Sequence, residues 1–175
     1  MTLRSIIHGA TALALALVFT ACESDPGPTG VPQPAPRTVT VNGVDLLVVP
    51  GGLKIASQTV VQKIGPHGGS ISVDGGRLDV PSGALVQEVS ISMKGRETDQ
   101  FRYKFGPSGL TFDTAATLTI QVDPEALGVD PARLAIAGAS DEGNDWTVIG
   151  GAYDESLGAV VVPIEHFSLY AICLD

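Results

Sequence analysis

The chain has 175 residues, of which 44% are hydrophobic and only 17% charged, and its formal net charge is −9. That length suits one domain with attached segments. The acidity argues against nucleic acid or an anionic lipid surface as a partner, because both are gripped by clustered Lys and Arg. Two cysteines, Cys22 and Cys173, make no disulfide framework, so the domain must stand on an apolar core.

The sequence opens on MTLRSIIHGATALALALVFTAC, in which Arg4 precedes an apolar run from Ile6 to Phe19. A spanning helix needs about 20 apolar residues, so this shorter run reads as a secretory signal. It stops at Phe19-Thr20-Ala21-Cys22, which resembles a bacterial lipobox, although Phe19 stands where leucine is usual. The resemblance implies that residues 1–21 are removed and that Cys22 becomes an acylated first residue. The plainer alternative is an ordinary secretory signal whose cysteine merely follows the cut. Removal takes away Arg4 and shifts the net charge from −9 to −10. If Cys22 carries lipid, Cys173 has no partner within the chain. Residues 23–37, ESDPGPTGVPQPAPR, hold five prolines and no apolar periodicity. Such a stretch cannot bury enough surface to fold, and its prolines favour an extended backbone of about 3.1 Å per residue. Residues 22–37 therefore read as a lipidated tether to a membrane. Glu23, where aspartate would resemble an inner-membrane retention signal, favours the outer membrane.

From Thr38 onward, strand-like runs recur between turn residues. TVTVNGVDLLVV (38–49) carries Asn42-Gly43 between two apolar alternations. Asn-Gly is the strongest short hairpin signal, because both turn positions need positive φ. A hairpin and linker are thus expected over 38–57. Further strands are expected at 58–64, 69–73, 76–80, 89–93, 101–105, 116–122, 133–138, 146–150, 159–164 and 167–172, with one helical turn at 123–128. Spacing of about 8–12 residues with turn signals between predicts a sandwich or barrel. In FRYKF, Phe101, Tyr103 and Phe105 share one face. In ATLTIQV, Leu118, Ile120 and Val122 do the same, the habit of antiparallel sheets with one wet side.

Residues 58–172 also carry motifs. KIGPHGGSISVDGGRLDVPSGALVQEVSISM contains Gly65-Pro66-x-Gly68-Gly69, then Leu78, then Val80-Pro81-Ser82-Gly83-Ala84-Leu85. YKFGPSGLTF, a threonine-rich strand, Trp146 and finally His166-Phe167-Ser168-x-Tyr170 follow in order. Together they resemble the ZU-five domain, a β-sandwich found in zonula occludens proteins, ankyrins and netrin receptors, and related domains of bacterial lipoproteins. The resemblance implies an antiparallel β-sandwich over 58–175, preceded by the added hairpin, that serves mostly as an interaction module. Relatives in a death-domain protein and a nucleoporin carry His-Phe-Ser and cut themselves between Phe and Ser. Carried over, Ser168 would attack the Phe167 carbonyl and His166 would accept its proton and pass it to the leaving nitrogen. The plainer reading puts His166 and Ser168 on the wet face of a last strand, with Phe167, Leu169 and Ala171 inward.

Other candidates are weaker. GPHGGS around His67 lacks the Lys-Ser/Thr of a phosphate loop and no helix follows. Asp141, Glu142 and Asp145 in SDEGND read as a solvated turn, since a calcium loop needs a longer pattern and flanking helices. Trp146 is expected in the core, with a ligand platform as the alternative, and Cys173 is a small core hydrophobe or a free thiol. No nucleophile elbow appears, and no cofactor or metal is expected. The sequence thus points to a lipid-anchored, extracytoplasmic, non-catalytic structural or protein-interaction module of the cell envelope, bound to the membrane through Cys22 and to another envelope protein. The alternatives are self-cleavage at Phe167-Ser168 and a carbohydrate or peptide binder.

Overall fold

The computed structural model describes residues 35–49, 57–96 and 99–175. The expected signal, Cys22, nearly all of the expected tether and most of the expected linker lie outside the described residues. β1 (Thr38–Val41) and β2 (Val44–Leu47) form the expected hairpin. Asn42 and Gly43 turn at φ 51° and 81°, which matches the right-handed twist of the strands they join. Then come β3 (Thr59–Ile64), β4 (Gly69–Val73), β5 (Gly76–Val80), β6 (Val89–Lys94) and β7 (Arg102–Gly106). β8 (Thr111–Gln121) starts earlier than the alternation suggested and has eleven residues. A helical turn, α1 (Pro124–Leu127), is capped by Asp123, whose carboxylate accepts from the Ala126 N–H at 3.1 Å. β9 (Leu134–Ala139), β10 (Thr147–Gly150), β11 (Ala152–Asp154), β12 (Ala159–His166) and β13 (Leu169–Leu174) complete the chain. The three-residue β11 is too short to leave an alternation in the sequence.

The strands make two antiparallel sheets, one of eight strands and one of five, and the fold is an all-β sandwich. The five-stranded sheet runs β11-β12-β8-β5-β4. The eight-stranded sheet is organised about β13, which pairs with β9 along all six of its residues. Its other edge is shared: Leu169–Ala171 pair with β7, while Cys173 and Leu174 pair with β2. The N-terminal hairpin is therefore built into the sheet. The main core lies between the sheets, with Leu118, Ile120 and Val160 from one side and Ile91, Tyr103, Phe105 and Ile136 from the other.

The Gly-Pro and Pro-Ser-Gly motifs dock on each other. The Gly83 N–H reaches the Pro66 carbonyl at 2.9 Å, and Gly68 turns at φ 76° directly against Val80 and Pro81. Ala84 and Leu85 then enter the core, as their motif suggested.

Residues 169–173 of β13 are all buried, because the eight-stranded sheet has a second apolar cluster on its outer face. Tyr170 and Ile172 point into the main core, while Leu169, Ala171 and Cys173 meet Val44, Leu46 and Ala137 in the second. Trp146 closes that second cluster. It is 1% exposed, its indole N–H donates to the Gly143 carbonyl at 2.9 Å, and the Arg102 guanidinium lies 5.4 Å above its ring. Trp146 is a core residue and not a ligand platform. Trp146→Ala should cost about 3–5 kcal/mol, read from denaturant unfolding followed by circular dichroism. A loss below about 1 kcal/mol would mean that the small alanines beneath it close the gap.

Candidate functional site

His166, Phe167 and Ser168 do not share one strand. His166 ends β12 in the five-stranded sheet, Leu169 begins β13 in the eight-stranded sheet, and Phe167-Ser168 carry the chain across between them. A bulge between Ile164 and His166 starts the departure from β8. The expectation of a single alternating strand fails here because the partner strands belong to different sheets on either side of the tripeptide.

Each residue of the crossing is pinned. The Tyr170 hydroxyl donates to the His166 carbonyl at 2.6 Å. The Phe167 N–H donates to the Leu110 carbonyl at 2.8 Å, and the Ser168 carbonyl accepts from the Phe105 N–H at 3.4 Å. The Phe167 ring is 2% exposed, stacks on Phe105 at 5.3 Å and meets Phe112 edge-on at 5.1 Å. It thus wedges between β7 of one sheet and β8 of the other. Burial pushes the Tyr170 phenol up to about 12, so it stays a hydrogen-bond donor at neutral pH.

The Ser168 hydroxyl donates to the Ala139 carbonyl. The imidazole of His166 is exposed at the strand end. None of the three residues has positive φ. The geometry presents a serine whose proton is held by a backbone carbonyl, beside a buried, pinned peptide bond.

This crossing forms one wall of a cleft of about 880 Å³. The cleft is also lined by Ser140, Asp141, Glu142 and Asp145 of the 140–145 loop, by Ile149 of β10 and by Ser108 and Gly109. The acidic loop and the tripeptide, read separately from the sequence, therefore line the same cavity. Asp145 folds back on the loop: its carboxylate accepts from the Ser140 N–H at 2.8 Å and the Ser140 hydroxyl at 2.7 Å, which holds its pKa below the usual carboxylate range. The Ser108 hydroxyl, and then Lys104 with its Nζ at 3.5 Å, lower the pKa of Asp141. Among the described residues, no group of three or more His, Cys, Asp or Glu could hold a metal ion.

His67 lies exposed in the turn between β3 and β4 and does not line the cleft. Cys173 is fully buried, and burial, with Asp175 nearby, pushes its thiol up to about 11. A neutral, inaccessible thiol is a packing residue. Reading from sequence missed Ser108, Ile149 and Glu165. Pro163 was the available signal, because a proline inside a strand run marks an edge without a neighbour. No family model matches the chain, and no curated protein matches it.

Proposed function

We propose that the chain is a lipid-anchored, extracytoplasmic binding module of ZU-five type, held to a membrane through Cys22 and not an enzyme for external substrates. The observation that carries the binding reading is the cleft, which is lined by loops and a strand edge on a rigid sandwich. Its volume lies within the ~300–1,000 Å³ typical of ligand sites. The non-catalytic reading is supported by the Ser168 hydroxyl, which is committed to the Ala139 carbonyl.

A second reading, self-cleavage at Phe167-Ser168, is favoured by the pinning of the crossing. A peptide bond fixed on both sides cannot relax by fraying, although it stands eight residues from Asp175. In that reaction Ser168 Oγ would bond to the Phe167 carbonyl carbon and the C–N bond would break. His166 would carry the hydroxyl proton to the freed amine, and water would then hydrolyse the ester.

Intact mass of the mature protein under denaturing conditions tests both. The expected result is a single chain uncut at Phe167-Ser168 and beginning at an acylated Cys22, with acylation and membrane attachment lost in Cys22→Ser. A fragment beginning at Ser168, absent from Ser168→Ala, would replace the non-catalytic reading with self-cleavage. A Cys22→Ser protein that stayed acylated would sink the anchor.

A further inference from the structure

The hydrogen-bonding groups of the cleft restrict what it can bind. Three of the four hydroxyls along it already donate to protein acceptors. Ser140 donates to Asp145, Ser168 to the Ala139 carbonyl and Tyr170 to the His166 carbonyl, while the Ser108 hydroxyl sits near Asp141 and lowers its pKa. Among the described residues no Lys or Arg lines the cleft, which leaves the His166 imidazole and the Ser108 hydroxyl as its side-chain donors. Acceptors are in excess. Two carboxylates, Asp141 and Asp145, have partners within the protein, but Glu142 and Glu165 are exposed and make no hydrogen bond or ion pair among the described residues.

The backbone has the same bias. β11 pairs with β12 only over Ala159–Val161, so from Val162 onward no strand among the described residues lies beside that edge of β12. The Val161 carbonyl faces Gly151, where an added Cβ would stand 3.0 Å from it. Alternate residues of a strand turn their carbonyls the same way, so the Pro163 carbonyl opens on the cleft side, and proline brings no N–H with it. The walls add apolar surface at Pro163 and at Ile149, which is 44% exposed. The aromatic rings nearby, Phe167 and Tyr170, are each 2% exposed and offer no platform for a sugar ring.

We infer that the cleft binds an extended, lysine- or arginine-bearing peptide segment of a partner protein. The cationic side chains meet Glu142 and Glu165, apolar neighbours cover Ile149 and Pro163, and backbone N–H groups face the open carbonyl edge of β12. The inference rests on the binding-module reading and names the class of its ligand.

The test is fluorescence anisotropy of a dye-labelled peptide of alternating Lys and Val with the mature, full-length protein in a non-ionic detergent. An equally long Glu-Val peptide is the control, and spermidine the competitor. The Lys-Val peptide should bind, more weakly as salt rises, and the Glu-Val peptide should not. The Glu142→Gln/Glu165→Gln double variant should weaken binding about tenfold and leave the melting midpoint unchanged. Equal binding of the Glu-Val peptide, or an unaffected double variant, would overturn the inference. Displacement by spermidine at the concentration of the peptide itself would overturn it in favour of a small-polyamine site. If no peptide binds a chain that mass spectrometry finds acylated and uncut, the inference fails and the module reading stands. A fragment starting at Ser168 fails the module reading whatever binds.

Discussion

Phe105→Ala is expected to cost about 3–5 kcal/mol of stability, with a fall in melting midpoint on the order of 10 °C. Phe105 is 1% exposed, next to the end of β7. It stacks on Phe167 at 5.3 Å and meets Tyr170 edge-on at 5.9 Å. Its truncation therefore removes a buried ring and two aromatic contacts, each worth about 0.5–1.5 kcal/mol beyond burial. The loss is aimed at one place, because Phe167 and Tyr170 hold the chain where it passes from one sheet to the other. Denaturant unfolding gives the magnitude. Hydrogen exchange should find the Phe167 amide, bonded to the Leu110 carbonyl, among those most loosened. A loss below about 1 kcal/mol, with that amide still protected, would mean the crossing is held by its hydrogen bonds alone.

Gly68→Ala is expected to cost about 2–5 kcal/mol. Gly68 has φ 76°, a conformation that costs an L-residue roughly 1–2 kcal/mol. A Cβ there would stand 2.4 Å from the Val80 carbonyl oxygen and 2.8 Å from the Pro81 carbonyl carbon. Both are backbone atoms of the facing turn, so no side chain can swing aside, and overpacking adds about 1–3 kcal/mol. Gly83 is the internal control: its φ is 83°, but nothing lies within 4 Å of an added Cβ. Gly83→Ala should therefore show the conformational cost without the clash. Equal losses at the two sites in thermal or denaturant melts would refute the docking of the two turns.

These two positions mark what the sequence could and could not disclose. Phe105 was legible because β7 buries one face, so Phe101, Tyr103 and Phe105 alternate with Arg102 and Lys104. The hairpin at Asn42-Gly43 was legible because its turn has a strict conformational demand. β13 was only half legible: Leu169–Cys173 are buried on both faces, and a strand covered twice has no period to read. The crossing at Phe167-Ser168 was hidden for a related reason. Alternation reports which way side chains point, not which sheet a strand has joined. The cleft was hidden most deeply, since the 140–145 loop and Ser168 meet only once β9 and β13 have paired. The motif glycines announced a turn, but the reason Gly68 tolerates no side chain is an atom of Val80, twelve positions away.

The pairing of β13 also bears on the order in which the molecule can be built. All its partners, β2, β7 and β9, precede it along the chain. A polypeptide that emerges N-terminus first would hold the β1–β2 hairpin, the β9–β10 pair and the β7–β6–β3 ribbon as three pieces without a common member. Apart from the Val48–Gln100 bridge, which links the hairpin to the approach to β7, they are joined into one sheet when Leu169–Leu174 slot between them. Loop closure over such separations is slow and comes late. The eight-stranded sheet would thus stay in pieces until synthesis had passed Leu174.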